Sequence, residues 1–174
     1  MRICTRILEV LALTTGYLCA LLMTVLSVIV FLGVFSRYVL NDPWQWTEEA
    51  ARITFIWVVF LGASVGVRRG LHFRFTLLLD SLRPTWKRPL ELFANLWVIF
   101  FASIMALKGL SFALLNFAQL TPTLVIPWGW VYIAVPLSGV LMILYALEHF
   151  RATAGRAGAA SLTGLVPGRE EVQA

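Results

Sequence analysis

The sequence predicts an all-α integral membrane protein with four transmembrane helices and a short amphipathic helix on the cytoplasmic side. Three observations carry that expectation. Of 174 residues, 60% are hydrophobic and 13% charged, with a mean hydropathy of +0.84, whereas soluble domains carry about a quarter charged residues. The apolar residues fall into four successive runs, each reaching the roughly 20 residues needed to cross a bilayer. The basic residues behind the formal charge of +5 sit in short segments between those runs. They form no basic face on a polar domain, so nucleic acid is not an expected partner. Cys4, beside the N-terminal arginines, and Cys19, inside the first run, offer neither a disulfide framework nor a metal-ligand spacing.

The first span, about residues 8–36, lies between Arg6 and Arg37 with Glu9 as its only charge. It is longer than a hydrocarbon core about 30 Å thick requires, so it must tilt or protrude. The run is too long for a signal-peptide h-region, and Leu18 before Cys19 is too large for a small-residue cleavage site, so a retained helix is expected. The second span, about 43–67, follows Asn41-Asp42-Pro43, with Asp42 as N-cap and Pro43 at the first helical position. It ends at Arg68-Arg69-Gly70. Counting back about 20 residues from Arg68 places the opposite boundary near Glu48, with Glu49 at the surface and Arg52 about one turn inside.

Between Gly70 and Pro84, about 71–83, Leu71, Phe75, Leu78, Leu79 and Leu82 share one helical face and His72, Thr76, Asp80 and Arg83 the other. This pattern predicts a surface helix with its leucines in the acyl boundary and Arg74 and Arg83 near lipid headgroups. The alternation over Leu71-His72-Phe73-Arg74-Phe75-Thr76 would also fit a strand, but an unpaired strand edge is poorly satisfied at a membrane. The third span, about 89–115, follows Lys87-Arg88-Pro89 and meets Lys108 at the opposite interface. Gln119-Leu120-Thr121-Pro122-Thr123 reads as a turn. The last span, about 127–148, opens at Pro127 and closes at Glu148-His149-Phe150-Arg151, with a kink expected at Pro136 near its middle. A four-helix domain over about 1–150 is thus followed by a small-residue, Gly- and Ala-rich tail, 151–174, expected to be flexible.

Arginines and lysines cluster at Arg2 and Arg6, between Arg68 and Arg88, and at Arg151, Arg156 and Arg169. A four-span path puts all three clusters on one side, and the positive-inside rule makes that side the cytoplasm, with both termini there. Arg37, Trp44, Trp46, Lys108 and Trp128 then mark the outer interface, the tryptophans as an aromatic belt. Arg68, Arg69, His72, Arg74 and Arg83 mark the inner one.

A protein that moves its own substrate shows ionisable or Gly/Pro-broken positions at the midplane. Thr24, Ser27, Trp57, Ser103, Pro136 and Ser138 are what these spans offer there, and none is charged. An autonomous proton-coupled exporter working as a homodimer is therefore the weaker alternative. Haem ligation would fall to His72 and His149, both at the inner boundary rather than facing each other within a bundle. No nucleophile–base pair or carboxylate dyad is arranged for catalysis. Neither an enzyme nor a cofactor is expected.

Glu48, Glu49 and Arg52 carry two readings. Carboxylates in early turns suit a helix N-terminus, and Glu48 could pair with Arg52 at i,i+4. Alternatively, a charge cluster one turn inside the membrane, flanked by Trp44, Trp46 and Trp57, repays its desolvation only under a covering partner helix. Gly62 and Gly66 add a Gly-x-x-x-Gly spacing that permits close helix approach, either to a partner or within the chain's own bundle.

The stretch Trp46-Thr47-Glu48-Glu49-Ala50-Ala51-Arg52, then Trp57-Val58-Val59-Phe60-Leu61-Gly62-Ala63, then Arg68-Arg69-Gly70-Leu71-His72 resembles the small membrane subunit, DctQ type, of tripartite ATP-independent periplasmic (TRAP) transporters. Ile126-Pro127-Trp128-Gly129-Trp130-Val131-Tyr132, with Ala134-Val135-Pro136, is similar to the entry of that family's last helix. With the four-span layout, the resemblance covers about 8–150. It implies a bacterial inner-membrane protein within a sodium-driven importer, typically for organic acids. A periplasmic binding protein captures the substrate, and a large membrane subunit holds the substrate and sodium sites. The small subunit would brace the large one and help dock the binding protein. Glu48, Glu49 and Arg52 match the family's acidic pair and following arginine, which implies an interface with the large subunit, joined here by Trp57, Gly62 and Gly66. Arg68 or Arg69 and His72 match its cytoplasmic Arg and Gly-x-His element, implying a structural role at the headgroups. Arg74-Phe75 departs from the apolar or acidic residues expected there.

Overall fold

The computed structural model describes residues 2–68 and 84–163. It contains α1 (Arg2–Tyr38), α2 (Gln45–Arg68), α3 (Pro84–Leu115), the short α4 (Trp128–Tyr132) and α5 (Ala134–Thr163). Among the described residues, four stretches are long and apolar enough to span a membrane: Arg6–Tyr38, Gln45–Arg68, Leu92–Leu115 and Trp128–Glu148. Among the described residues there is no strand, only an isolated antiparallel bridge between Leu120 and Pro127. The expected surface helix over about 71–83, and with it Arg69, His72, Arg74 and Arg83, lies outside the described residues.

The helices stand as an open row rather than a closed ring. α1 packs on α2, α2 on α5, and α5 on α3, while α1 and α3 make no comparable interface. On α1 the covered positions Leu8, Leu11, Thr15, Cys19, Leu22, Leu26, Ile29, Gly33 and Ser36 recur every three or four residues, one narrow seam on a long helix. Most of the other described side chains of α1 are exposed, as lipid allows. The α3–α5 seam is built from small residues: a Cβ on Gly139 would stand 2.8 Å from the Ala106 nitrogen and 2.9 Å from the Ala102 oxygen. The core lies toward the Arg68 end of α2, where Leu61, Val67, Ala102, Leu141, Met142, Tyr145 and Ala146 are buried together.

Three helix boundaries differ from the sequence expectation. α2 begins at Gln45, not at Pro43 behind an Asp42 cap. The chain leaves α1 through Asn41 at φ 52°, and the Asp42 N–H returns to the Ser36 carbonyl at 3.1 Å, so Asp42 still belongs to the turn. The last span is divided into α4 and α5 at Ile133, three residues before Pro136, although Ile133 keeps helical angles (φ −58°, ψ −26°) and the Leu137 N–H still reaches the Ile133 carbonyl at 3.1 Å. Pro136 has no N–H to offer the Tyr132 carbonyl, which ends the ladder of α4 there. α5 then runs on to Thr163, through the first part of the stretch 151–174. Alanine is the strongest helix former, and five alanines between 152 and 160 sustain the helix.

Candidate functional site

The Gln45 end of α2 carries two carboxylates with different uses. Glu48 is exposed and pairs with Arg37 in the last turn of α1, not with Arg52. Helix α1 packs against α2 at this level: a Cβ on Gly33 would meet Thr47 Oγ1 at 2.9 Å, so Arg37 reaches Glu48 directly. Glu49 is 7% exposed and faces its own chain. Its Oε2 accepts the Thr123 N–H at 2.8 Å and its Oε1 the Leu124 N–H at 3.3 Å. These N–H groups lie in the loop between α3 and α4, which is closed by the Thr121 N–H to the Ile126 carbonyl at 2.9 Å and by Val125 at φ 55°. Each oxygen of Glu49 thus accepts an N–H of its own chain, and little of the side chain is left exposed. Sequence reading could not pair residues 74 positions apart.

Arg52 is exposed, and among the described residues no carboxylate pairs with it. Glu48, Arg52, Phe55, Val59, Gly62 and Gly66 recur at steps of three and four, and therefore share one face of α2. Phe55 is 56% and Val59 44% exposed. Among the described residues, no heavy atom outside the local helix backbone lies within 4 Å of a Cβ placed on Gly62 or Gly66. The Gly-x-x-x-Gly spacing is therefore not used in packing among the described helices. Trp57 falls on the opposite side of α2, half-buried against the core, which removes it from the exposed stripe. Beside the stripe, a groove of about 680 Å³ runs between α2 and α3 over α5, lined by Val59, Ala63, Trp97, Phe101 and Met142 among others.

At the other end, Arg68 closes α2 and donates from Nη1 to Glu148 Oε2 of α5 at 2.9 Å. Its guanidinium lies 5.5 Å from the centre of the buried Tyr145 ring. Asn95 of α3, 1% exposed, donates to the Ala146 carbonyl at 3.0 Å. Arg68 is thus tied to α5, rather than standing alone at the boundary. Opposite charges at the inner ends of the second and fourth spans were the available signal for that pair. Asn95 and Tyr145 gave none, since a lone polar residue in a span does not name its neighbour.

Trp44 and Trp46 stack with ring centres 6.1 Å apart at the outer end, and Trp128 stacks on Tyr132 at 5.7 Å. Lys108 is exposed, two turns before α3 ends at Leu115. Among the described residues no cluster of His, Cys, Asp and Glu could hold a metal.

Residues 26–155 match the family model of the tripartite ATP-independent periplasmic transporters, DctQ component. The chain belongs to that family. A sialic acid TRAP transporter small permease protein of Vibrio cholerae is 28% identical over 73% of this DctQ chain and 73% of its own length. A C4-dicarboxylate TRAP transporter small permease protein of Rhodobacter capsulatus is 30% identical over 59% of this chain and 46% of its own. The isethionate TRAP transporter permease protein DctMQ of Oleidesulfovibrio alaskensis is 26% identical over 70% of this chain, but the match takes up 20% of that longer protein. DctQ proteins are permease subunits of transporters, not enzymes. Small subunits of this family partner with a large permease subunit. The family and the four apolar helices make this DctQ chain a multi-pass protein of the inner membrane.

Proposed function

We propose that this chain braces the large permease subunit through the uncovered face of α2 and the adjoining groove, within a sodium-driven, binding-protein-dependent importer of organic acids. The observation that carries the reading is the stripe of Arg52, Phe55, Val59, Gly62 and Gly66, exposed or open on a row of helices that does not close on itself. Two glycines with open space above them let a second backbone approach closely. An arginine one turn inside the boundary is stabilised by cover from protein. In the DctMQ relative the matching unit forms part of one longer permease chain, which fits direct contact with the transport machinery. Relatives named for sialic acid, C4-dicarboxylate and isethionate support an organic acid as cargo. Sodium and substrate binding then belong to the large subunit, in keeping with uncharged midplanes here. With the termini in the cytoplasm, the loop pinned by Glu49 and the ends of α1 and α2 offer part of the surface met by the periplasmic binding protein. Arg69, His72, Arg74 and Arg83 serve the inner headgroup boundary.

The test co-expresses the tagged chain with its large permease subunit and substitutes Gly62→Phe and Gly66→Phe. A Cβ at either position has open space among the described residues, so expression and insertion should be unchanged. Equimolar recovery of the large subunit and sodium-dependent uptake in proteoliposomes should both be lost. Normal recovery and uptake would place the interface elsewhere.

A further inference from the structure

The mouth of the cleft between α1 and α2 carries a pair of opposite charges that the brace does not need. Arg37, from the last turn of α1, and Glu48, from the first turn of α2, face each other there, with side chains 53% and 64% exposed. Below them the cleft is apolar, walled by Ile29, Val30, Val34 and Ala51, and floored where Gly33 meets Thr47. Val30 and Val34 are 49% and 52% exposed, so the cleft opens sideways to the surrounding lipid. Its volume is about 260 Å³, just under the roughly 300 Å³ at which sites for whole drug-sized molecules begin. It suits one stretch of acyl chain, not an entire ligand. Trp44, stacked on Trp46, stands at the rim at the depth where an aromatic belt meets headgroups.

We propose that this cleft is a phospholipid site selective for a headgroup bearing both a phosphate and a primary ammonium, as in phosphatidylethanolamine. The phosphate would accept from the Arg37 guanidinium and the ammonium would donate to the Glu48 carboxylate, giving alternating charges around the rim. One acyl chain lies between Val30, Val34 and Ala51. A phosphatidylglycerol headgroup would put its phosphate beside the Glu48 carboxylate with no second cation to offset the repulsion. A phosphatidylcholine headgroup keeps the positive charge but has no N–H to donate.

The test extracts the tagged full-length chain in mild detergent with the subunits it carries and places it in phosphatidylcholine nanodiscs. These are doped with equal minor fractions of phosphatidylethanolamine and phosphatidylglycerol, and retained lipids are identified by native mass spectrometry. Phosphatidylethanolamine is expected to be enriched about tenfold over its share, the size of one charge-assisted hydrogen bond. Arg37→Gln and the cleft-filling Ala51→Phe should abolish the enrichment. Glu48→Gln should turn the preference toward phosphatidylglycerol, a reversal that a merely structural ion pair would not produce. Equal retention of the three lipids, a wild-type preference for phosphatidylglycerol, or enrichment that survives both Ala51→Phe and Glu48→Gln would overturn the proposal. The last two variants leave Arg37 in place, so the result stands even if Arg37→Gln is poorly folded.

Discussion

At the residue scale, Glu49 and Arg68 fix the two ends of the row by different physics. Glu49 receives two backbone N–H groups that no regular element could satisfy, because they lie in a loop bent by Val125 at φ 55°. Its amide analogue has only one acceptor oxygen, so in Glu49→Gln one of those N–H groups loses its partner. The Thr123 and Leu124 amides should then exchange with solvent about tenfold faster, while amides of the α3–α5 seam stay protected; hydrogen exchange with mass spectrometry reads both. Arg68 and Glu148 form an ion pair with side chains 20% and 25% exposed, and so only partly screened. A double-mutant cycle with Arg68→Ala and Glu148→Ala should give a coupling of about 1–2 kcal/mol in thermal unfolding of the detergent-solubilised complex. A coupling near zero would mean that Tyr145 holds the guanidinium without the carboxylate.

At the element scale, two kinds of glycine carry opposite roles. Gly139 sits where α5 presses on the backbone of α3, and a side chain there would need the helices to part. Gly139→Leu should therefore lower the stability of the chain by about 1–3 kcal/mol or more, as overpacking does. Gly66→Leu should leave the isolated chain unchanged, and thermal melts of the two variants in the same detergent separate these effects. Sequence alone could not make the distinction, because glycine reads the same under a partner and under a neighbouring helix of its own chain. Apolar run length and flanking charge did reveal the spans, since the cost of unpaired backbone in lipid leaves helices as the simple solution. Helix ends were less legible: the start of α2 depends on the Asp42 N–H turning back to Ser36, and the division at Ile133 on a carbonyl that Pro136 leaves unpaired. Within the candidate site, the charge cluster was visible but its pairing was not. Arg37 and the 123–124 loop claim Glu48 and Glu49 through tertiary contact, leaving Arg52 as the charge on the open face beside Phe55, Val59 and the glycines.

At the scale of the whole molecule, an open row is stable because lipid removes the penalty that water would impose on its faces. Lipid tails are as apolar as leucine, so the exposed Leu21, Phe31, Trp97 and Leu107 need no cover for solubility. What lipid cannot satisfy are charges, and these lie at the two ends of the row: Arg37, Glu48 and Glu49 at one, Arg68 and Glu148 at the other. Direction across the membrane follows from which end gathers more basic residues. Arg2, Arg6, Arg68, Lys87, Arg88, Arg151 and Arg156 all belong to helix stretches at the Arg68 end, whereas the other end holds Arg37 and Lys108. Moving the first group across the membrane runs against the bias that sets topology, so the Arg68 end should face the cytoplasm. The prediction is checked in intact cells after Cys4→Ser and Cys19→Ser remove the native thiols. A membrane-impermeant maleimide should label Ala118→Cys, exposed in the outer loop, and should leave Ala159→Cys unlabelled until the membrane is permeabilised. The reverse pattern would turn the molecule over, and with it the end that a periplasmic binding protein could reach.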